Sequence, residues 1–198
     1  MVKHLGVVLA GGQSRRFGSP KAFAEIHRKP FYQHSIEAVK PCTEKQVIIT
    51  STALKDEFKK YDHDAVVYTD ESSFAGKGPL AGIYTAMARE HAEWYVTVPT
   101  DVPLIQTRIF EHLLQYADEN TQAIVPVAAN RLQPLISVYH ASVKGVLQEN
   151  LKNNKQSVRQ LLDRIQVKYV TFEEESPFMN INKQEDYRKI KPNHNGGK

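Results

Sequence analysis

The chain has 198 residues, of which 41% are hydrophobic and 24% are charged, as in an ordinary globular protein with a sizeable core. Its formal net charge of +4 suits a polyanionic small substrate and is too small to indicate nucleic-acid binding. A single cysteine, Cys42, excludes an internal disulfide and suits a reducing cytosol, and neither a signal peptide nor a membrane-spanning stretch is recognisable, so we expect a cytoplasmic protein that binds no membrane.

Strand and helix patterns alternate along the chain. Short apolar runs predict strands at residues 5–10, 47–49, 65–68, 94–98, 123–127 and 167–172, with a further extended piece at 133–139. Helices are predicted at residues 31–39, 53–60, 79–90, 105–116, 143–151 and 158–164, and from 184 onward. This alternation predicts an α/β fold, three-layered and Rossmann-like, with a mostly parallel mixed sheet. We expect a single domain over residues 1–190 and a disordered tail at 191–198.

The first predicted strand runs into a glycine-rich loop. Gly11 and Gly12 let a ligand approach the backbone closely, and the cations Arg15, Arg16 and Lys21 follow within ten residues. Such a strand, turn and cation cluster predicts a site for a phosphate chain. The spacing fits neither the Walker pattern nor the dinucleotide fingerprint. The alternative is an ordinary turn with a solvated basic loop.

Several polar or flexible residues come directly after predicted strands. They are Gly11, Thr50, Asp70 and Asp101. Ligands of parallel α/β sheets bind beyond the carboxyl ends of the strands, so these residues are expected on one rim. Asp101, between Pro99 and Pro103, could hold Mg²⁺ through its carboxylate, or it could cap the next helix or form a turn. Asp70 could contact a nucleotide or make local turn hydrogen bonds.

Four motifs resemble a known family. They are Leu9-Ala-Gly-Gly-x-Ser-Arg-Arg-Phe-Gly-x-x-Lys21, Gly78-Pro-Leu-Ala-Gly82, Pro99-Thr-Asp-Val-Pro103 and Asn180-Ile-Asn182. Together they are similar to the molybdenum cofactor guanylyltransferases of the nucleotidyltransferase superfamily. The resemblance implies the nucleotide-diphosphosugar transferase fold and the transfer of GMP from GTP to molybdopterin, with or without its metal. It also implies Mg²⁺ as cofactor, held by Asp101.

The resemblance also implies roles for individual residues. Asp101, Lys21 and Arg16 would be catalytic. Thr50 stands where an asparagine is expected, which leaves that contact in doubt. The nucleotide would be bound by Leu9, Ala10, Gly11, Gly12, Ser14, Arg15, Lys21, Thr50, Asp70, Gly78 and Asp101. Asn180 and Asn182 point the same way in an extended segment and could line the pterin side, or they could cap the last helix.

The expected partners are GTP and molybdopterin, together with proteins that deliver the cofactor and molybdoenzymes that accept it. We expect a monomer. Two alternative functions remain open at this point. One is a cytidylyltransferase of the same fold, acting on the molybdenum cofactor or on a sugar or alditol phosphate, although those enzymes tend to carry Leu-Ala-Ala-Gly where this chain has Leu9-Ala-Gly-Gly12. The other is a nucleotide-binding module without catalytic activity.

Overall fold

The apolar strand predicted near the N-terminus lies at the centre of an eight-stranded sheet in a computed structural model, which describes residues 2–11, 20–61 and 63–190. The strands are β1 (Val2–Leu9), β2 (Glu25–Ile26), β3 (Lys29–Pro30), β4 (Lys45–Thr50), β5 (Val66–Thr69), β6 (Ala92–Pro99), β7 (Ala123–Ala128), β8 (Arg131–Leu132), β9 (Ser137–His140) and β10 (Val167–Phe172). The α-helices are α1 (Phe31–Val39), α2 (Thr52–Phe58), α3 (Pro79–Arg89), α4 (Thr107–Leu114), α5 (Lys144–Lys152), α6 (Val158–Leu162) and α7 (Gln184–Ile190).

The sheet is mixed and mostly parallel. Its order is β10-β7-β9-β6-β1-β4-β5, and the short β8 pairs with β7. The neighbours β5, β4, β1 and β6 are all parallel, whereas β9 is antiparallel to both β6 and β7. Parallel central strands are covered on both faces, which explains the short apolar runs at residues 5–9 of β1 and 47–49 of β4. The carboxyl ends of these four parallel strands therefore meet at one edge of the sheet.

Helices cover both faces of this sheet, so the fold has three layers. The side chains of a strand alternate between the faces, and the neighbours Val7 and Val8 of β1 accordingly belong to two different core clusters. One cluster joins the sheet to α1 and α4, and the other joins it to α3, α5 and α6. The α/β class, the three layers and the mostly parallel mixed sheet predicted from the sequence are confirmed.

Some local predictions need correction. The loop before α1 holds a small hairpin of β2 and β3, which no periodicity could predict because each strand has only two residues. Of the extended piece predicted at 133–139, only residues 137–139 belong to a strand, which continues to His140, since Ile136 donates a turn hydrogen bond to the carbonyl of Gln133. The described residues contain no helix that is both long and apolar enough to span a bilayer. The tail at 191–198 lies outside the described residues, and the single domain stays a prediction.

Candidate functional site

A cleft of about 420 Å³ opens at the carboxyl ends of β1, β4, β5 and β6. The strand-end argument from the sequence predicts a site at this edge. The predicted site residues that line the cleft are Leu9, Ala10, Gly11, Lys21, Asp70, Gly78 and Asp101. Gly12, Ser14, Arg15 and Arg16 were also predicted to bind the nucleotide or to act in catalysis, and they lie outside the described residues.

The end of β1 forms the floor of the cleft. The backbone N–H of Ala10 donates to the carbonyl of Ile49 at 2.8 Å, and that of Thr100 donates to the carbonyl of Leu9 at 3.2 Å. A side chain added at Gly11 would meet none of the described residues within 4 Å, so none of them blocks the approach to its backbone. The backbone of Leu9 and Ala10, which leads into the glycine loop, is therefore held by bonds to the chain at Ile49 and Thr100 and leaves room for a ligand.

Thr50 is not among the residues that line the cleft, and its contact with the nucleotide stays a prediction. Its side chain is buried, and its hydroxyl donates to the carbonyl of Ala10 at 3.3 Å. Thr50 is the last residue of β4, and this bond ties the end of β4 to the backbone that follows β1.

The Lys21 ammonium lies between two predicted site residues. Its Nζ is 3.3 Å from Oδ2 of Asp101 and donates to Oδ1 of Asn182 at 2.8 Å. The side chains of Lys21 and Asp101 are only 15% and 28% exposed, so both charges are partly shielded from water. The structure thus brings together residues 80 and 161 positions apart. Lys21 and Asp101 line one end of the cleft, and Asn182, which is exposed and does not line it, contacts Lys21.

Asp101 is also held through its backbone. Its carbonyl accepts a hydrogen bond of 2.7 Å from the N–H of Ile181, and Ile181 is fully buried with Ile26 and Phe31. Asn180, on the other side of Ile181, is exposed, and it does not line the cleft. The sequence grouped Asn180 with Asn182 but gave no sign of the bond from Ile181 to Asp101, because nothing in the local pattern links two segments so far apart.

Asp70 lies on the opposite side of the cleft, at the start of a loop that follows the edge strand β5. We name residues 70–78 the edge loop. Burial raises the pKa of the Asp70 carboxyl above its ordinary value, and a hydrogen bond from the backbone N–H of Gly76 opposes this rise in pKa. Gly76 and Gly78 both line the cleft, and both have a positive φ, of 75° and 74°. The edge loop needs glycine at these two turns because other residues would be strained there.

Helix α3 begins where the edge loop ends. Gly78 precedes its first turn, and Pro79 is its first residue. The unpaired N–H groups of a helix N-terminus attract negative charge, so this end suits an anionic or electron-rich ligand. At its other end the carboxylate of Glu90 accepts from Nζ of Lys45 at 2.7 and 2.8 Å and from the hydroxyl of Tyr68 at 2.7 Å. The helix is thus fixed at the end remote from the cleft.

Near Lys21, the described part of the cleft offers one carboxylate, that of Asp101, and not a complete set of metal ligands. Among the described residues, no group of three or more histidine, cysteine, aspartate or glutamate side chains could hold a metal ion. This donor set fits Mg²⁺, which is commonly bound by one or two carboxylates together with substrate phosphates and water. It does not fit a structural zinc site, which needs four protein ligands.

Leu135 lines the cleft but was not predicted as a site residue. It follows Pro134 in the irregular segment between β8 and β9, on the antiparallel side of the sheet. Its only signal in the sequence is one apolar residue in a segment that was interpreted as extended. Its position became apparent only when the order of the strands placed β9 beside β6.

Comparison with known proteins agrees with the motif resemblance. Residues 6–169 match the family model of the MobA-like NTP transferase domain. A relative from Bacillus licheniformis, described as a probable molybdenum cofactor guanylyltransferase, is 40% identical over 96% of this chain and 98% of its own length. A protein of the same description from Bacillus subtilis is 38% identical, over 94% of both chains. The family predicted from the motifs is confirmed.

Solved structures support the same fold. A crystal structure of molybdopterin-guanine dinucleotide biosynthesis protein A from Archaeoglobus fulgidus superposes with a TM-score of 0.80 at 22% identity, covering 94% of this chain and 96% of the other. The bifunctional IspDF of Campylobacter jejuni superposes with a TM-score of 0.74 at 16% identity, over 94% of this chain and 54% of the other. At these identities the likeness concerns the fold alone.

Proposed function

This chain belongs to the MobA-like NTP transferase domain family, and we propose that it transfers GMP from GTP to the terminal phosphate of molybdopterin, releasing pyrophosphate. Its similarity to molybdenum cofactor guanylyltransferases over almost its whole length supports this reaction. The observation in the structure that carries the proposal is the placement of Lys21 and Asp101, 3.3 Å apart, at one end of the cleft. A cation and a carboxylate, which can hold a metal ion, are the groups that phosphoryl transfer requires.

The reaction we propose is one in-line displacement. An oxygen of the molybdopterin phosphate forms a bond to the α-phosphorus of GTP, and the bond from that phosphorus to the bridging oxygen breaks. Pyrophosphate leaves with the electron pair of the broken bond. The protein forms no covalent bond in this scheme, so its part is to align the two phosphates and to offset their negative charge.

We assign Lys21 to the leaving pyrophosphate. Its ammonium is a compact point charge that donates to Asp101 and Asn182 in this structure. Asp101 would hold Mg²⁺, which would neutralise charge on the phosphates when bound. The backbone bond from Ile181 keeps the position of Asp101 fixed before any ligand arrives. The roles of Arg15 and Arg16 on the phosphates stay predictions from the sequence.

The two ends of the cleft are assigned to the two substrates. We propose that the edge loop faces the guanine or the ribose of GTP, because Asp70 offers an acceptor beside the helix N-terminus at Gly78. Guanine carries two adjacent donors, which one carboxylate or two carbonyls can accept. Asn182 lies beside Lys21, at the reacting end, where it could meet the pterin substrate, and Asn180 is a less direct candidate for the same role. We also propose a cytoplasmic monomer that passes its product to acceptor molybdoenzymes.

The test is product analysis. Purified protein would be incubated with molybdopterin, Mg²⁺ and each nucleoside triphosphate in turn, and the products would be separated and identified. We expect a guanine dinucleotide and pyrophosphate with GTP alone. Equal use of CTP would favour the cytidylyltransferase alternative, and nucleotide binding without any product would favour the module without catalytic activity.

A further inference from the structure

Lys77 stands between two glycines that line the cleft, yet its side chain bonds elsewhere. Its Nζ donates to the carbonyl of Leu151 at 2.9 Å and to Oδ1 of Asn154 at 2.8 Å. Leu151 belongs to the last turn of α5, and Asn154 follows the end of that helix. The side chain therefore joins the edge loop to a helix that supplies no residue to the cleft.

The chemistry of this contact suits a cation. The Leu151 carbonyl lies in the last turn of α5 and already accepts from the N–H of Asn154 at 3.2 Å, and the negative end of the helix dipole favours a positive charge beside it. The Lys77 ammonium also lies 5.6 Å from the centre of the Phe74 ring, within cation–π range. A neutral side chain of the same length would keep the packing and lose all three interactions.

Short hydrogen bonds hold the turns of the edge loop: the N–H groups of Phe74 and Lys77 donate to the carbonyls of Glu71 and Phe74 at 2.8 and 3.1 Å. Its ties to the rest of the fold are mainly side-chain contacts. The loop follows β5, an edge strand with a neighbour on one side only, and both of its cleft-lining glycines have unrestricted backbones. Phe74 is buried and meets Tyr84 of α3 edge to face, with ring centres 5.1 Å apart, which holds the middle of the loop. The Gly76 N–H bonds to Asp70 and the Gly78 carbonyl accepts from the N–H of Ala81, and the side chain of Lys77 ties the same part of the loop to the end of α5.

We propose that Lys77 is a positioning residue for the nucleotide: by bonding to the end of α5, it holds the backbone of Gly76 and Gly78 in the conformation that binds the base end of GTP. This inference rests on the proposed function for the identity of the ligand. It requires no contact between Lys77 and GTP. Loss of the contact lowers the fraction of molecules whose edge loop is competent to bind, and the dissociation constant rises in inverse proportion to that fraction.

The experiment compares three variants by two measurements. Lys77→Met removes the charge and keeps most of the stem. Asn154→Gly removes one acceptor and remains compatible with the positive φ of 54° at that position. Lys60→Met, which loses an exposed ion pair to Glu57 on the far side of the fold from α5, is the matched control. The measurements are calorimetric GTP binding and amide hydrogen exchange in residues 71–78.

For Lys77→Met we expect the GTP dissociation constant to rise about tenfold, as it would if the competent fraction fell to roughly a tenth. Exchange in the edge loop should speed up, and the turnover number at saturating GTP should stay close to that of the unaltered protein. Asn154→Gly should show smaller changes in the same direction, and the double variant should lose less than the sum of the two. Lys60→Met should change neither measurement.

Unchanged exchange in the edge loop of a folded Lys77→Met protein would overturn the inference, and so would faster exchange with unchanged GTP affinity. Weaker binding without faster exchange would also overturn it, because it would indicate a direct contact instead. If Lys77→Met fails to fold, Asn154→Gly decides by the same criteria. If the unaltered protein binds no GTP, the proposed function fails, and the exchange measurement still decides whether Lys77 holds the loop.

Discussion

Two sides of the cleft are held by different kinds of contact. On one side, Asp101 follows the central strand β6, and the backbone of the fully buried Ile181 bonds to its carbonyl. On the other side, the edge loop follows the edge strand β5. Its backbone bonds are short-range ones within the loop, and its ties to the rest of the fold are contacts that involve side chains, among them those of Phe74, Lys77 and Glu71. Buried backbone contacts tolerate little movement, whereas side-chain contacts at a surface open more easily. We call the side with Asp101 the firm side and the side with the edge loop the adaptable side. The groups assigned to chemistry lie on the firm side, and those assigned to recognition of the base lie on the adaptable side.

The largest effect should come from the firm side. Asp101→Asn keeps the size of the side chain and the backbone bond to Ile181 but removes the negative charge. We expect the protein to fold normally and its turnover number to fall by at least about a hundredfold, the scale of losing one strong electrostatic contact in a transition state. Steady-state kinetics at saturating Mg²⁺ would measure the loss, with Asp64→Asn, an exposed carboxylate, as control. Near-normal turnover by a folded Asp101→Asn protein would contradict the assignment.

The next effect concerns Lys21, which should act on the outer phosphates of the nucleotide. Lys21→Met should weaken binding of GTP by about tenfold, the scale of one charge-assisted hydrogen bond, and weaken binding of GMP much less. Calorimetry with GTP, GDP and GMP would separate the contributions of the phosphates. Equal losses for all three ligands would place the ammonium at another part of the nucleotide.

A comparable but selective effect is expected on the adaptable side. Asp70→Ala should reduce the preference for GTP over CTP, since an unpaired buried acceptor costs about 1–3 kcal/mol when the wrong base is bound. Competition kinetics with all four triphosphates on both proteins would test this, with turnover on GTP alone as the internal reference. If the variant keeps its full preference for GTP, Asp70 holds the ribose or has no role in selection.

The smallest effect is a dependence of stability on pH. Because burial raises the pKa of Asp70, the folded protein binds this proton more tightly than the unfolded chain does. As the pH rises from the pKa of Asp70 in the unfolded chain to its higher pKa in the folded protein, the free energy of unfolding falls. Above the folded pKa this loss of stability no longer changes with pH. Asp70→Asn should be more stable than the unaltered protein at neutral pH, and this advantage should disappear at acidic pH. Urea unfolding at several pH values would measure it, and a stability difference that does not change with pH would exclude ionised Asp70 as its cause.

The sequence predicted the firm side better than the adaptable one. Buried parallel strands contain short apolar runs, so the end of β6 and the position of Asp101 at the rim follow from local pattern and a topological rule. Thr50 satisfied the same rule, yet its side chain is buried and its hydroxyl bonds to the carbonyl of Ala10, a contact that strand pattern does not reveal. The bonds from Lys77 to α5 and from Ile181 to Asp101 join distant segments through loops, and no periodicity records such contacts.

The contacts that hold the far end of α3 also influence the position of its near end, which lines the cleft. Glu90, at its far end, is tied to Lys45 and Tyr68, while Gly78 and Pro79 at its near end line the cleft. The 11 residues of α3 span about 16 Å, so a tilt of roughly 5° about the Glu90 end would displace the near end by about 1.4 Å. We therefore expect substitutions at Lys45 or Tyr68, which lie outside the cleft lining, to alter nucleotide recognition and not only the contacts around Glu90.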